Sequence, residues 1–131
     1  MIINDAATLA EMEAVFATYE AALLINDTVT LDGLFWNTSK TIRYGVNENQ
    51  YGAEAIAAFR ALGPSTDPNR VLRRTVITTF GTDYATASTL FESPSQPGRL
   101  GRQMQTWARI DGAWKVVAAH VSVIASVIDS A

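Results

Sequence analysis

Apolar residues Leu9, Met12, Phe16, Tyr19 and Leu23 recur every three or four positions, the spacing of one face of an α-helix. Asn4 or Asp5 can cap its start, and Asn26-Asp27-Thr28 interrupts the run, so the pattern predicts a first helix from Asp5 to Asn26. The interrupting residues offer a second cap, and a short helix follows through Leu31, Leu34 and Phe35. Thr41 to Val46 is β-branched and aromatic and reads as a strand. A polar turn at Asn47 to Gln50 leads to a brief return strand at Tyr51-Gly52, then a third helix from Ala53 to Leu62. Gly63-Pro64 closes that helix, and Pro64 to Asn69 is a loop.

The second half changes character. Val71–Phe80, Tyr84–Glu92, Arg99–Ile110 and Ala113–Val127 are long β-prone stretches, joined by Gly81-Thr82-Asp83, by Ser93 to Gly98, and by the tight turn Asp111-Gly112. Three helices followed by an antiparallel meander form an α+β pattern in one domain spanning 1–131, with helices covering one face of a strongly bent sheet. A pocket between the two layers is the expected ligand site. In the last strand Val117, Ala119, Val121 and Val123 alternate with Ala118, His120 and Ser122, so both faces are partly apolar. A homodimer or higher homo-oligomer packed through the sheet face is the expected cover.

Composition narrows the functions. The chain of 131 residues is 48% hydrophobic and carries a formal charge of −3, which gives no electrostatic case for nucleic acid or an anionic membrane. No apolar run reaches the ~18 residues of a membrane span, and the first residues lack the basic stretch of a secretory signal. A cytoplasmic location is expected. The absence of cysteine removes disulfides, thiolate nucleophiles and most structural zinc sites. Neither a phosphate-cradling glycine loop, a dinucleotide fingerprint nor a Ser-His-Asp order is present, so no cofactor and no metal are expected. Eight of the ten basic residues are arginine, a bias suited to recognising carboxylates.

Several side chains are candidates for chemistry. Arg43 lies mid-strand between Ile42 and Tyr44, and points to solvent, pairs with Glu48 or Glu54, or faces the interior with an anionic partner. Tyr19 sits on the apolar face of the first helix, where its hydroxyl needs a partner. The sole histidine, His120, is flanked two residues on by Ser122 and is either a general base or a hydrogen-bonded core residue. Alternation puts Gln103, Gln105 and Trp107 on one strand face, and Arg102, Met104 and Thr106 on the other. The two amides can hold a polar ligand or bond across the sheet. Of Arg73-Arg74, at most one can face the pocket.

The segments Leu34-Phe35-Trp36, Thr41 to Val46 with Glu48-Asn49 and Tyr51-Gly52, and Ile56 to Arg60 resemble the AtzH/HpxZ-like family. Gly81-Thr82-Asp83, Gly101-Arg102-Gln103 with Gln105-Thr106-Trp107, and Val117 to Ser122 resemble it too. The likeness runs in order from Tyr19 to Ser122. It implies the cone of the nuclear transport factor 2-like, or SnoaL-like, superfamily. It also implies a cofactor-independent enzyme of ureido-acid catabolism, of the kind that acts on 1,3-dicarboxyurea with loss of carbon dioxide to give allophanate. On that likeness Tyr19 and Arg43 are catalytic, and Trp36, Tyr44, Gln103, Gln105, His120 and Ser122 contact the small anionic substrate. Relatives lie beside amidases, so an amidase partner is a further expectation. The alternative is a non-catalytic protein whose cavity holds a small acid or which assists an amidase. Isomerase or cyclase chemistry needs an acidic base in the pocket, and the aspartates fall mainly at caps and turns, with Asp32 unplaced.

Overall fold

A computed structural model describes residues 1–126. Helix α1 runs Ala6–Leu24 and buries Thr8, Met12, Phe16, Tyr19 and Ala22, the stripe that the spacing predicts shifted slightly around the axis. Asp5 is its cap, accepting from the Thr8 amide at 3.1 Å and the Thr8 hydroxyl at 2.8 Å. Asn4 instead pins the helix entry to the sheet, its side-chain oxygen accepting from the Thr79 amide at 2.9 Å. Asp27 caps α2 (Thr28–Leu34) in the same way as Asp5 caps α1, through Thr30. The third helix, α3 (Ala53–Arg60), starts after Gly52, whose φ of 95° suits glycine.

Six strands make one sheet: β1 (Ile42–Tyr44), β2 (Asn49–Tyr51), β3 (Val71–Phe80), β4 (Tyr84–Glu92), β5 (Arg99–Ile110) and β6 (Ala113–Ala125), in the order β2-β1-β6-β5-β4-β3. All pairs are antiparallel except β1 with β6. That parallel pairing brings the early Arg43 strand beside the last strand, with Arg43 opposite Ala119 and Tyr44 opposite His120. The expected end of β6 at Val127 lies outside the described residues. Among the described residues no helix is long and apolar enough to cross a membrane.

The helices lie across one face of the sheet, and the core fills the space between. Met12, Leu31, Ile56, Trp107 and Val116 are almost fully buried, each contributing roughly 1.5–3 kcal/mol of burial free energy. The Tyr19 ring meets Trp107 edge-on at 6.0 Å and Phe35 at 6.3 Å.

Two irregularities change which side chains face inward. Between Thr106 and Trp107 the register with β6 slips, so Thr106 is opposite Ala118 and Trp107 opposite Val116, leaving Val117 unpaired. Before this bulge Trp114 and Val116 are buried, and after it Ala119 is. The expected continuous alternation of Val117 with Ala119 is therefore corrected, because one extra residue inverts the phase of a strand. A second slip, between Arg73 and Val76, includes Arg74 at a φ of 53°. Arg73 pairs with Glu92 at the surface, and neither arginine lines either of the two cavities described below.

Candidate functional site

A cavity of about 690 Å³ opens between the helices and the concave face of the sheet. Its floor includes Arg43 from β1, Val121 and Val123 from β6, and Gln103 from β5; Tyr19 and α3 form its other side. The loops 63–69 and 93–98 make its mouth, and Asp67 ties them together by accepting from the Ser95 amide at 2.9 Å and the Asn69 amide at 2.8 Å. The Asn69 amide is the first reason that the Asp67 carboxyl titrates below its usual range.

Four arginines line this space: Arg43, Arg60, Arg70 and Arg99. Arg43 directs Nη1 to Glu48 at 2.8 Å and to the buried Gln50 at 3.0 Å, and its guanidinium lies 5.4 Å from the Phe59 ring. Arg43 thus makes the expected pair with Glu48 and also lines the cavity. Gly45 makes the pair fit, because a Cβ there would collide with the Glu48 carboxylate and Arg43 Nη1. The Nε and Nη2 edge of Arg43 makes no protein hydrogen bond among the described residues, leaving two parallel donors of the kind that grip a carboxylate. Arg60 pairs with Asp32 and stacks on Phe35, which places the one aspartate that the sequence left unassigned.

Tyr19 is 6% exposed, and its hydroxyl has no protein hydrogen-bond partner among the described residues. Burial pushes its pKa above the usual tyrosine value, and the positive fields of Arg60, Arg43 and Arg70 work against that rise. At neutral pH the group is a protonated O–H in the field of three guanidiniums.

The remaining predicted contacts separate. Gln103 lines the cavity. Gln105 does not: it is buried behind the cavity, accepting from the Trp107 indole at 3.0 Å. Trp36 is corrected too. Phe35 bridges to Val116 and turns inward, so alternation sends Trp36 to a separate cavity of about 840 Å³ beside Asp32, Glu54 and Lys115. Tyr44, His120 and Ser122 are on the far side of the sheet, because each is one residue out of phase with Arg43, Ala119 and Val121. There the Tyr44 and Tyr51 hydroxyls bond at 3.0 Å, His120 stands edge-on to Tyr44 at 5.9 Å, and Ser122 accepts from Arg102 Nε at 3.1 Å.

Arg70 is the residue the sequence reading missed. It follows an irregular loop with no local pattern, and its partner Glu20 lies 50 residues earlier. The one available signal was Glu20, a charge beside Tyr19 on the border of the apolar helix face. Among the described residues no group of three His, Asp or Glu side chains is arranged to hold a metal ion.

The family model described as AtzH-like matches residues 1–127. The chain belongs to the AtzH-like family. Two solved structures are similar throughout. A protein of unknown function from Pectobacterium atrosepticum is 50% identical, covering 94% of this chain and 95% of that chain with a TM-score of 0.89. A cystatin-like fold protein from Burkholderia xenovorans is 51% identical, covering 95% and 98% with a TM-score of 0.92. An NTF2-like protein from Pseudomonas putida, 17% identical with a TM-score of 0.72 over 86% of this chain and 84% of that one, shares the fold. The α+β cone of nuclear transport factor 2-like proteins is thus the architecture of this AtzH-like chain. No curated protein matches it.

Proposed function

We propose that this AtzH-like protein is a cofactor-independent enzyme that removes carbon dioxide from a small carboxylated urea, 1,3-dicarboxyurea or a close relative. The observation that carries the reading is Tyr19, its hydroxyl without a protein partner, and Arg43, with a free donor edge, lining one cavity. Arg43 anchors a substrate carboxylate through Nε and Nη2, its orientation held by Glu48, Gln50 and Phe59. The bond between a urea nitrogen and the departing carboxylate carbon breaks, its electron pair remains on nitrogen, and nitrogen takes the proton of Tyr19 Oη. Carbon dioxide leaves and allophanate remains, with one proton consumed; solvent returns that proton to Tyr19. The arginines around the ring stabilise the tyrosinate formed in passing.

The test is release of carbon dioxide from 1,3-dicarboxyurea by the purified protein. Absence of turnover, with thermal stabilisation by the same compound, would establish a non-catalytic acid-binding protein instead.

Pairing of two copies through the outer sheet face belongs to the same proposal. Met104 is 60% exposed there beside His120 and Tyr44, an apolar and aromatic patch suited to a self-complementary contact. Met104→Glu should turn a dimer into a monomer in sedimentation, and a monomeric parent protein would exclude it.

A further inference from the structure

We infer that Arg70 and Gln103 form a second acceptor-binding subsite, which takes the end of the ligand not held by Arg43, so that the preferred ligand carries a carboxylate at each end. The inference rests on the ureido-acid reading of the cavity and assigns a part of it that Tyr19 and Arg43 leave open.

The Arg70 side chain is 3% exposed. Its Nε and Nη2 donate to the two Glu20 oxygens at 2.9 and 2.5 Å, and Nη2 also reaches Gln103 Oε1 at 3.2 Å. Its guanidinium lies 4.5 Å from the Phe91 ring, which packs on Gly101 so closely that a Cβ there would meet the ring at 2.2 Å. Nη1 makes no protein hydrogen bond among the described residues.

Gln103 follows from Arg70. A guanidinium only donates, so the amide must turn its oxygen to Arg70 and its NH₂ away. That nitrogen, Nε2, is buried and has no hydrogen-bond partner. An unpaired buried donor costs about 1–3 kcal/mol, and here it belongs to a side chain on the cavity wall. Nε2 is closed off while the cavity is empty, so a ligand acceptor reaches it as the Gln103 amide swings toward the cavity. Arg70 Nη1 and Gln103 Nε2 together are matched by the two oxygens of a carboxylate. Glu20 fixes the arginine and offsets its charge, so recognition at this end depends on donor geometry more than on net attraction.

The sheet sets the span. Arg43 is opposite Ala119, and Gln103 is opposite Val121 on the other side of β6. Two strand spacings place their backbones about 10 Å apart laterally. Their partners on β6 are two residues apart, which adds about 7 Å along the strand. Both residues line the same cavity, and a molecule whose carboxylates are separated by a bridge of three atoms, as in 1,3-dicarboxyurea, is the candidate to reach both.

The test uses 3-oxoglutarate, in which methylenes replace both urea N–H groups and no carbamate bond remains, and butyrate as a single-carboxylate control. Both are titrated calorimetrically into the wild-type protein, Gln103→Leu and Gln103→Met. Wild type should bind 3-oxoglutarate at least about tenfold more tightly than butyrate. Both variants should lose that preference, keep their butyrate affinity, and lose only a modest part of their melting temperature, because the unpaired Nε2 donor and the Oε1 that accepts from Arg70 are removed together. Equal binding of the two probes by wild type, binding of neither, or an undiminished preference in the variants would each overturn the subsite. So would a large fall in melting temperature in both variants, which would make Gln103 structural. If 1,3-dicarboxyurea is not turned over but the preference is present and lost in the variants, the enzymatic reading fails and the subsite stands. If it is turned over and Gln103→Leu leaves KM unchanged, the subsite fails and the enzymatic reading stands.

Discussion

The two faces of the sheet are built from the same three strands, and they behave differently. On the concave face Arg43 and Gln103 are held by Glu48, Gln50 and Arg70, and parts of their donor capacity remain unused. On the convex face their immediate neighbours Tyr44 and Met104 lie with His120, and the polar groups there pair with one another in the Tyr44–Tyr51 and Arg102–Ser122 bonds. One residue of phase separates a constrained polar cavity from an open apolar patch. Chemistry calls for fixed donors with spare capacity in a partly dry space, and among the described residues the concave side provides Arg43 and the buried Gln103.

Substitutions can break this contrast, and Tyr19 should give the largest effect. Tyr19→Phe keeps the packing on Trp107 and Phe35 but removes the proposed proton donor, so turnover should fall about 10²- to 10⁴-fold. Retention of wild-type turnover would remove Tyr19 from the mechanism. The wild-type rate profile should show no loss of the acid form below about pH 10, the ordinary tyrosine value, because burial raises the Tyr19 pKa. The sign for stability is the same. Above that pH the unfolded chain loses this proton before the folded one does, so stability should fall as pH rises through the window.

Arg43→Ala should reduce kcat/KM by roughly 10²- to 10³-fold, since it removes the proposed bidentate contact to the substrate carboxylate, with circular dichroism unchanged. Next in size is Gly101→Ala. Its methyl group would meet the Phe91 ring that stacks on Arg70, and the overpacking should cost about 1–3 kcal/mol in denaturant unfolding. On the convex face His120→Ala and Ser122→Ala should alter turnover by less than about twofold, the level of an uninvolved surface substitution. A tenfold loss in either would show that the convex face contributes to the reaction.

The mildest effect should come with acid. The hydroxyl of Thr8 lowers the Asp5 pKa, that of Thr30 lowers the Asp27 pKa, and Arg109 lowers that of Glu11. Groups held below their unfolded values stabilise the fold above those values, so melting temperature should begin to fall as pH drops below about 4.5. Asp5→Asn and Asp27→Asn should flatten that decline.

Much of the architecture was legible because it is local. The helix stripe, the Asp5 and Asp27 caps and the Asp111-Gly112 turn are decided within a few residues, and so is the alternation of Gln103 with Met104. The site was legible only in part. Arg43 and Tyr19 were visible as chemically capable groups on apolar elements, and the family resemblance singled them out. His120, Tyr44, Ser122 and Trp36 also lay on the right segments, but strand phase sent them elsewhere.

The sequence by itself determined the elements, the α+β class and the presence of arginines able to bind carboxylates, because periodicity and side-chain chemistry are properties of short stretches. Only the tertiary structure decided which face each strand turned inward. The parallel pairing of β1 with β6 and the bulge at Val117 set that choice, and both depend on strands distant in sequence. Tertiary structure alone also brought Arg70 onto Glu20 and Gln103, respectively 50 and 33 residues away. Burying a guanidinium requires partners on several sides at once, and no local pattern can specify where distant chain segments will supply them.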